Sequence, residues 1–278
     1  MWLAMLFKDV LRYSIKSIDK LLILGLVIVI AKIPEIFNGF NFLSSEILES
    51  RVLFIILSIL ALAASFIAYG YYLSITRNTI HNVYDGPPEL DLKKNIVDGV
   101  KYFVLNIVYF IIPILVTVII AFSTGAVSIE SINSISESIL VSSSSIFIMP
   151  LLTGLTLLES ILTSSSLNFI ILLLVGLILF IVFGLVHTLA KAVLADTGSL
   201  TTASNMPKVF KKITKIGWKN YIIWIIVYSF IAIMLSIFIS IISAIDFIGL
   251  IIAPLVIIAF KVMFTARSVG LIYNESKK

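Results

Sequence analysis

The stretch KVFKKITKIGWK carries five lysines in twelve residues: Lys208, Lys211, Lys212, Lys215 and Lys219. Clustered ammonium groups suit phosphate, whether on a nucleic acid or on an anionic lipid surface. Other chemistry is thinly supplied. There are two histidines, His81 and His187, and no cysteine, so neither a thiol nucleophile nor a dedicated zinc site is expected. HExxH, P-loop and GxSxG patterns are absent, and no acidic pair falls inside an apolar run. DGPPELD, with Asp85, Glu89 and Asp91, could in principle hold a metal, but Asp-Gly-Pro-Pro reads first as a turn. The residue types therefore imply no cofactor, no metal and no enzymatic centre.

Composition decides what the lysines face. The chain is 60% apolar and 13% charged, against about 45–50% and about 25% for a soluble domain, and its mean hydropathy is +1.16. A soluble surface cannot absorb that excess, so lipid is the solvent for much of the chain. The basic residues flank apolar spans, which makes a membrane surface a better partner than nucleic acid. A crossing helix needs about 20 apolar residues. Residues 52–75, 102–122, 167–189, 221–243 and 247–265 qualify. Pro113 falls inside one of these spans, which membrane helices tolerate.

The first apolar run, residues 21–31, is short and must extend through Lys32, Pro34 and Glu35 to cross. A short run behind a basic leader is also a signal-peptide pattern. No small-x-small cleavage site follows, however, and the leader is itself periodic. Leu3, Leu6, Phe7, Val10, Leu11, Ile15 and Ile18 recur at helical spacing, opposite Lys8, Asp9, Arg12, Lys16 and Asp19. That predicts an amphipathic helix on the membrane surface. Two more such helices are predicted. Leu92, Ile96, Val97 and Val100 oppose Lys93, Lys94 and Asp98; Met206, Val209, Phe210, Ile213 and Ile216 oppose the lysine cluster.

Six spans with both termini in the cytoplasm leave only Lys32 and Arg51, among 20 Lys and Arg, on the outer side. That bias sets the expected orientation and a cell-membrane location. Residues 146–162, with Pro150 and Glu159, are read as a re-entrant or interfacial segment, with a seventh crossing as the alternative. They lie in a serine-rich outer insert, 123–166.

The expected fold is all-α: a single polytopic membrane domain, 1–278, of about six helices and three interfacial helices. It divides into hairpin units 1–84, 85–197 and 198–278. Each interfacial helix is followed by a lysine (Lys20, Lys101, Lys219) and a span, and each returning span ends in a cation (Arg77, Lys191, Arg267). A threefold repeat explains this, and so do shared membrane constraints without duplication.

GYYLSITRNTIHNVYDGPPELDLKKNIVDGVKYFV, LADTGSL, KITKIGWKNYIIWIIVY and FTARSVGLIYNES together resemble domain-of-unknown-function family 4013. The RNTI, IGWKNY and AR-x-x-GLIY elements carry most of the resemblance, which spans nearly all of the chain except the serine-rich insert. It implies a multi-pass membrane protein, mainly archaeal in distribution, and transfers no catalytic residues.

Polar groups inside spans are the remaining functional leads. Lys261 precedes Arg267 by six residues, so its amine can snorkel toward the inner interface; the other reading is a bundle-facing cation that binds an anionic solute. His187, one turn before Lys191, is expected to be a hydrogen-bonded packing residue rather than a proton relay. Lys32 and Glu35 are spaced to pair. Ser58, Ala61, Ser65 and Ala68 give one span a small face for close helix approach, while Gly176 and Gly184 share a face of another span with Phe180 between them. The expected function is a non-enzymatic accessory, scaffold or lipid-associating component. Its partners are the bilayer and anionic headgroups on the cytoplasmic face. A small-solute transporter, with Pro113 and Pro254 as candidate helix breaks, is the alternative.

Overall fold

The computed structural model describes residues 2–39, 51–81, 86–123, 167–245 and 248–277, and every regular element among them is helical. They are α1 (Trp2–Lys16), α2 (Ile18–Ala31), α3 (Ile33–Gly39), α4 (Arg51–His81), α5 (Leu92–Ser123) and α6 (Leu167–Thr197). The short α7 (Leu200–Ala203) leads to α8 (Met206–Ile216), α9 (Trp218–Ser243) and α10 (Ile248–Ile252). A π-helical turn (Ala253–Ile258) then runs into α11 (Ala259–Glu275). Residues 146–162 and Asp246 lie outside the described residues.

Among the described residues, five helical stretches are long and apolar enough to cross a membrane: Ile55–His81, Leu92–Ser123, Ile170–Thr197, Trp218–Ser243 and Gly249–Glu275. The protein is a polytopic helical bundle. The first apolar run behaves differently. α2 has 14 residues, about 21 Å of rise, and stops at Lys32, where the chain turns before α3. Lys32 then pairs with Glu35 at 2.5 Å, as their spacing predicts.

The chain separates into two compact units. One comprises residues 1–106 and 186–278. Its core is centred on Leu24, Leu73, Ile75, Leu194, Trp224 and Phe264, all fully buried. Here α11 packs on α4, α4 on α2, α1 on α11, and α2 on the π-helical turn. Pro254 explains that turn. Proline lacks an N–H and crowds the preceding carbonyls, and the wider winding of a π-helix absorbs both defects. Of the small face of α4, Ala61 and Ala68 are buried and Ser58 and Ser65 half-buried, with Ala64 buried beside them. Just beyond it, Gly70 and Gly99 sit where α4 and α5 touch backbone to backbone. A Cβ on Gly99 would strike the Phe66 carbonyl, and one on Gly70 the Asn95 carbonyl.

The other unit is residues 107–185. Its α5 portion passes Pro113 without interruption, and Thr117 Oγ1 donates to the Pro113 carbonyl at 2.7 Å. Gly176 meets Thr117, and Phe110 stacks on Phe180. Gly184 has no packing neighbour where its side chain would be, so of the two glycines only Gly176 serves a close contact. Ile111, Leu115, Ile119, Leu177 and Ile181 are exposed, as lipid-facing residues must be.

Two of the three amphipathic segments are separate helices. α1 ends at Ser17, and α8 ends at Gly217, whose φ of +89° and ψ of 122° suit glycine alone. The second differs from expectation. Residues 92–101 are the first turns of α5, continuous with its span. Its apolar face also differs: Leu92, Ile96, Val97 and Val100 are exposed, as Lys93 and Lys94 are, while Asn95, Asp98 and Gly99 are buried. Where lipid is outside and other helices inside, apolar residues can face out and Asp98 turns inward to Arg77.

Candidate functional site

In the unit of residues 1–106 and 186–278, polar side chains gather at the ends of α4, α6 and α11 and the starts of α1 and α5. Arg77, in the RNTI stretch, meets Asp98 at 2.9 Å and donates from Nε to the Ala195 carbonyl at 2.9 Å. Arg267 grips Asp9 with two donors, Nε at 3.0 Å and Nη2 at 2.9 Å, while its guanidinium lies 4.6 Å from the centre of the Tyr13 ring. Both donors fall on the same oxygen, Asp9 Oδ2. Asp196, in LADTGSL, accepts from the Tyr273 hydroxyl at 2.9 Å and from Lys277 at 2.9 Å, with His81 at 3.4 Å. Asn274 Nδ2 donates to the Thr79 carbonyl. Two lysines predicted to head their spans also act alike: Lys20 donates to the Pro87 carbonyl at 2.6 Å and Lys101 to that of Gly198 at 3.0 Å.

The acids of this network differ from the helical-wheel expectation. Asp98 is 6% exposed, not on the solvated face with Lys93 and Lys94. Asp9 points from α1 into the Arg267 guanidinium. Both follow a readable signal, an acid on an interfacial helix in a chain whose spans end in arginine.

A second polar group lies deeper. Lys191 Nζ sits 5.7 Å from the centre of the Tyr72 ring, a cation–π distance. Among the described residues no carboxylate pairs with it. His187 is buried one turn earlier on α6. Tyr72 and Tyr69 of α4 both contact Tyr102 of α5, at 5.5 and 4.8 Å between ring centres. From α9, Trp224 stacks between Tyr221 and Tyr228 and donates through Nε1 to Ser268 Oγ at 3.1 Å. Sequence spacing alone gives these tyrosines the look of ordinary packing.

Lys261 departs from its expected direction. Its Nζ donates to Ser236 Oγ at 2.6 Å. The Trp224–Ser268 bond sets the levels of α9 and α11: from it Ser236 is about 18 Å along α9 and Lys261 about 10 Å along α11. The amine therefore reaches away from the Arg267 end instead of snorkelling toward it. The cause is geometric, because Cα–Cβ bonds tilt toward a helix N-terminus, and the N-terminus of α11 lies at the far end.

On α8, Asn205 caps the first turn by accepting from the Lys208 N–H. Val209, Ile213 and Ile216 are buried, and Lys208, Lys211, Lys215 and Lys219 are exposed. Two residues differ from the helical-wheel expectation. Phe210 is exposed and lies 5.9 Å from the ring of Trp218. Lys212 is half-buried with its amine 5.1 Å from the centre of the Tyr273 ring, and burial, then Lys215 and Lys277, push its pKa down despite the opposing pull of Asp196.

Five long apolar helices among the described residues define a multi-pass membrane protein. The chain belongs to the family described as protein of unknown function (DUF4013), which matches residues 53–244, more than half of its length. RNTI, LADTGSL and IGWKNY fall within the match, whereas ARSVGLIY, with Arg267 and Tyr273, falls beyond it, so the family match is narrower than the resemblance read from the motifs. Neither a curated protein nor a solved structure matches the chain.

Proposed function

We propose that this protein is a non-enzymatic, lipid-associating component of the cell membrane, with both termini cytoplasmic and α8 resting on anionic headgroups. The observation that carries this reading is the exposed face of α8 and the start of α9, where Lys208, Lys211, Lys215 and Lys219 are exposed together with Phe210 and Trp218. Aromatic rings at the headgroup level and cations above them make an interfacial anchor. Each nearby cation is worth about 1 kcal/mol at an anionic leaflet. An apolar groove of about 420 Å³ adds support: it is lined by Ile18, Leu22, Leu235 and Phe238 together with Val256 and Ile257 of the π-helical turn. It has the character of an acyl-chain seat. α2 and α3 together supply a sixth crossing in this scheme. The parallel bonds of Lys20 and Lys101 favour a repeated hairpin unit, since each lysine reaches the loop ahead of the next unit's helix.

The test is lipid selection in nanodiscs of mixed phosphatidylcholine and phosphatidylglycerol. Wild-type protein is expected to retain phosphatidylglycerol preferentially on native mass spectrometry, and added salt should weaken that preference. Equal retention of both lipids would sink the reading. Cleavage near Pro207 by protease added outside intact cells would sink the orientation.

A solute transporter is the second reading, favoured by the π-helical break at Pro254 inside a span. Solute flux through purified protein in liposomes, lost in Lys261→Met at equal expression, would move the conclusion there.

A further inference from the structure

α1 presents three faces where an interfacial helix needs only two. Leu6, Phe7, Val10 and Tyr13 are buried, and Asp9 is taken up by Arg267. Lys8, Arg12 and Lys16 recur every fourth residue, so they form one row along the helix, and all three are exposed. Among the described residues none of them makes an ion pair or a side-chain hydrogen bond. Ionic docking of α1 is thus carried by Asp9 alone, and the cation row is left over. Leu11 and Ile15, with Ile18 just past Ser17, form the third face, which is apolar and exposed as well.

That third face runs into the apolar groove. Ile15 and Ile18 line it, and its other walls come from α2, α9, the π-helical turn and the start of α11. Its depth can be read along α11. The Arg267–Asp9 pair marks the polar end of the bundle, and from Arg267 back to Val256 is about 16 Å of helix. One leaflet of hydrocarbon is half of a core roughly 30 Å thick, so the groove reaches about as deep as one acyl chain. Arg12 lies one turn before Ile15, and Lys16 one turn after Arg12, so the cations stand beside the residue that lines the groove. Asp19 is exposed next to Ile18, and three cations against it leave positive charge in excess.

We propose that the groove and the α1 cations together seat one anionic phospholipid, its acyl chain along the groove and its phosphate on Arg12 and Lys16. A groove without cations would accept any chain, and cations without a groove would accept any anion. Their juxtaposition selects a molecule that has both, and the guanidinium fork of Arg12 suits a phosphate group. The inference rests on the lipid-associating reading and deepens it. α8 gathers headgroups by charge, whereas this seat holds a single lipid by charge and chain together.

The experiment releases full-length protein from nanodiscs of mixed phosphatidylcholine and phosphatidylglycerol and follows it by native mass spectrometry as collisional activation rises. Lipids at the α8 surface should leave early, and the seat should keep one phospholipid to the last, chiefly phosphatidylglycerol. Arg12→Gln/Lys16→Gln is expected to lower the phosphatidylglycerol to phosphatidylcholine ratio of that last lipid about tenfold, because each cation contributes separately. Leu22→Trp, which fills the groove, should abolish the last lipid of either kind. Lys208→Gln/Lys211→Gln/Lys215→Gln should keep it while holding fewer lipids at low activation. A wild type that prefers phosphatidylglycerol at low activation yet keeps no last lipid overturns the seat and leaves the α8 reading standing. Equal retention of both lipids at every activation overturns both. A last lipid unchanged in Leu22→Trp, or unchanged in composition in Arg12→Gln/Lys16→Gln, overturns the seat alone. Arg12 and Lys16 are exposed, so their variant folds and decides the matter if Leu22→Trp does not.

Discussion

α1 and the first turns of α5 carry acids, and α8 does not. That single difference separates two uses of an amphipathic helix. Asp9 and Asp98 tie their helices inward to Arg267 and Arg77, so the charge is spent inside the fold. α8 docks through Val209, Ile213 and Ile216, with Lys212 over the Tyr273 ring, and keeps Lys208, Lys211 and Lys215 turned outward. Hydrophobic docking leaves charge free for a partner, whereas ionic docking consumes it. The contrast predicts that charge removal costs stability on α1 and α5 and leaves it untouched on α8.

The largest effect belongs to Arg77→Met. It leaves Asp98 buried with only Lys101, 4.0 Å away, to offset its charge. Breaking a buried pair from one side costs about 3–5 kcal/mol, and the Lys101 contact places the expected loss near the lower end, about 3 kcal/mol. Chemical unfolding in detergent measures it. A loss below about 1 kcal/mol would mean that α5 is held by packing, as α8 is, and the contrast would fail.

Gly99→Ala comes next. Its Cβ would meet the Phe66 backbone, which cannot rotate away, and overpacking of this kind costs about 1–3 kcal/mol. The same unfolding experiment reads it. Because Gly99 and Asp98 dock the same turn, the two substitutions made together should cost less than their sum.

Asp9→Asn is smaller, since Asp9 is 48% exposed and exposed pairs contribute about 0.2–1 kcal/mol. A pH experiment sharpens it. Burial pushes the Tyr13 phenol up to about 12, against the pull of Asn78 and Arg267, with Asp9 adding a small upward push. The folded pKa is raised, so the neutral phenol stabilises the docked helix fully below the unfolded value near 10. That stability is lost as pH rises from 10 through 12. The difference in tyrosinate absorbance between wild type and Tyr13→Phe should show a midpoint near pH 12. A midpoint near 10 would mean that α1 is undocked.

Much of this was readable from the amino-acid order, because bilayer thickness imposes span lengths and a 3.6-residue period imposes faces. The five long spans, the lysine face of α8 and the Lys32–Glu35 pair all follow from those two rules. A helical wheel separates faces without saying which is inside. Near lipid the apolar face of residues 92–100 turned out and Asp98 turned in. Lys261 reaches Ser236 for another reason: its position along the helix does not reveal the tilt of its Cα–Cβ bond toward the N-terminus. The Tyr72, Tyr102, Tyr221 and Tyr228 group depends on the side-by-side arrangement of three helices, which spacing within one helix does not encode.

The smallest stability effect, and the one that tests the contrast most directly, is Lys208→Gln/Lys211→Gln/Lys215→Gln. These ammonium groups make no ion pair among the described residues, and their removal leaves Val209, Ile213 and Ile216 in place. Unfolding should shift by no more than about 0.5 kcal/mol, as for surface changes in general. What should change is lipid preference. Three cations at about 1 kcal/mol each near an anionic leaflet should reduce phosphatidylglycerol retention strongly in low salt and little in high salt, because screening shortens to about 3 Å at 1 M. A destabilisation comparable to that of Arg77→Met would show that the α8 lysines are spent inside the fold after all, and the two kinds of helix would be one.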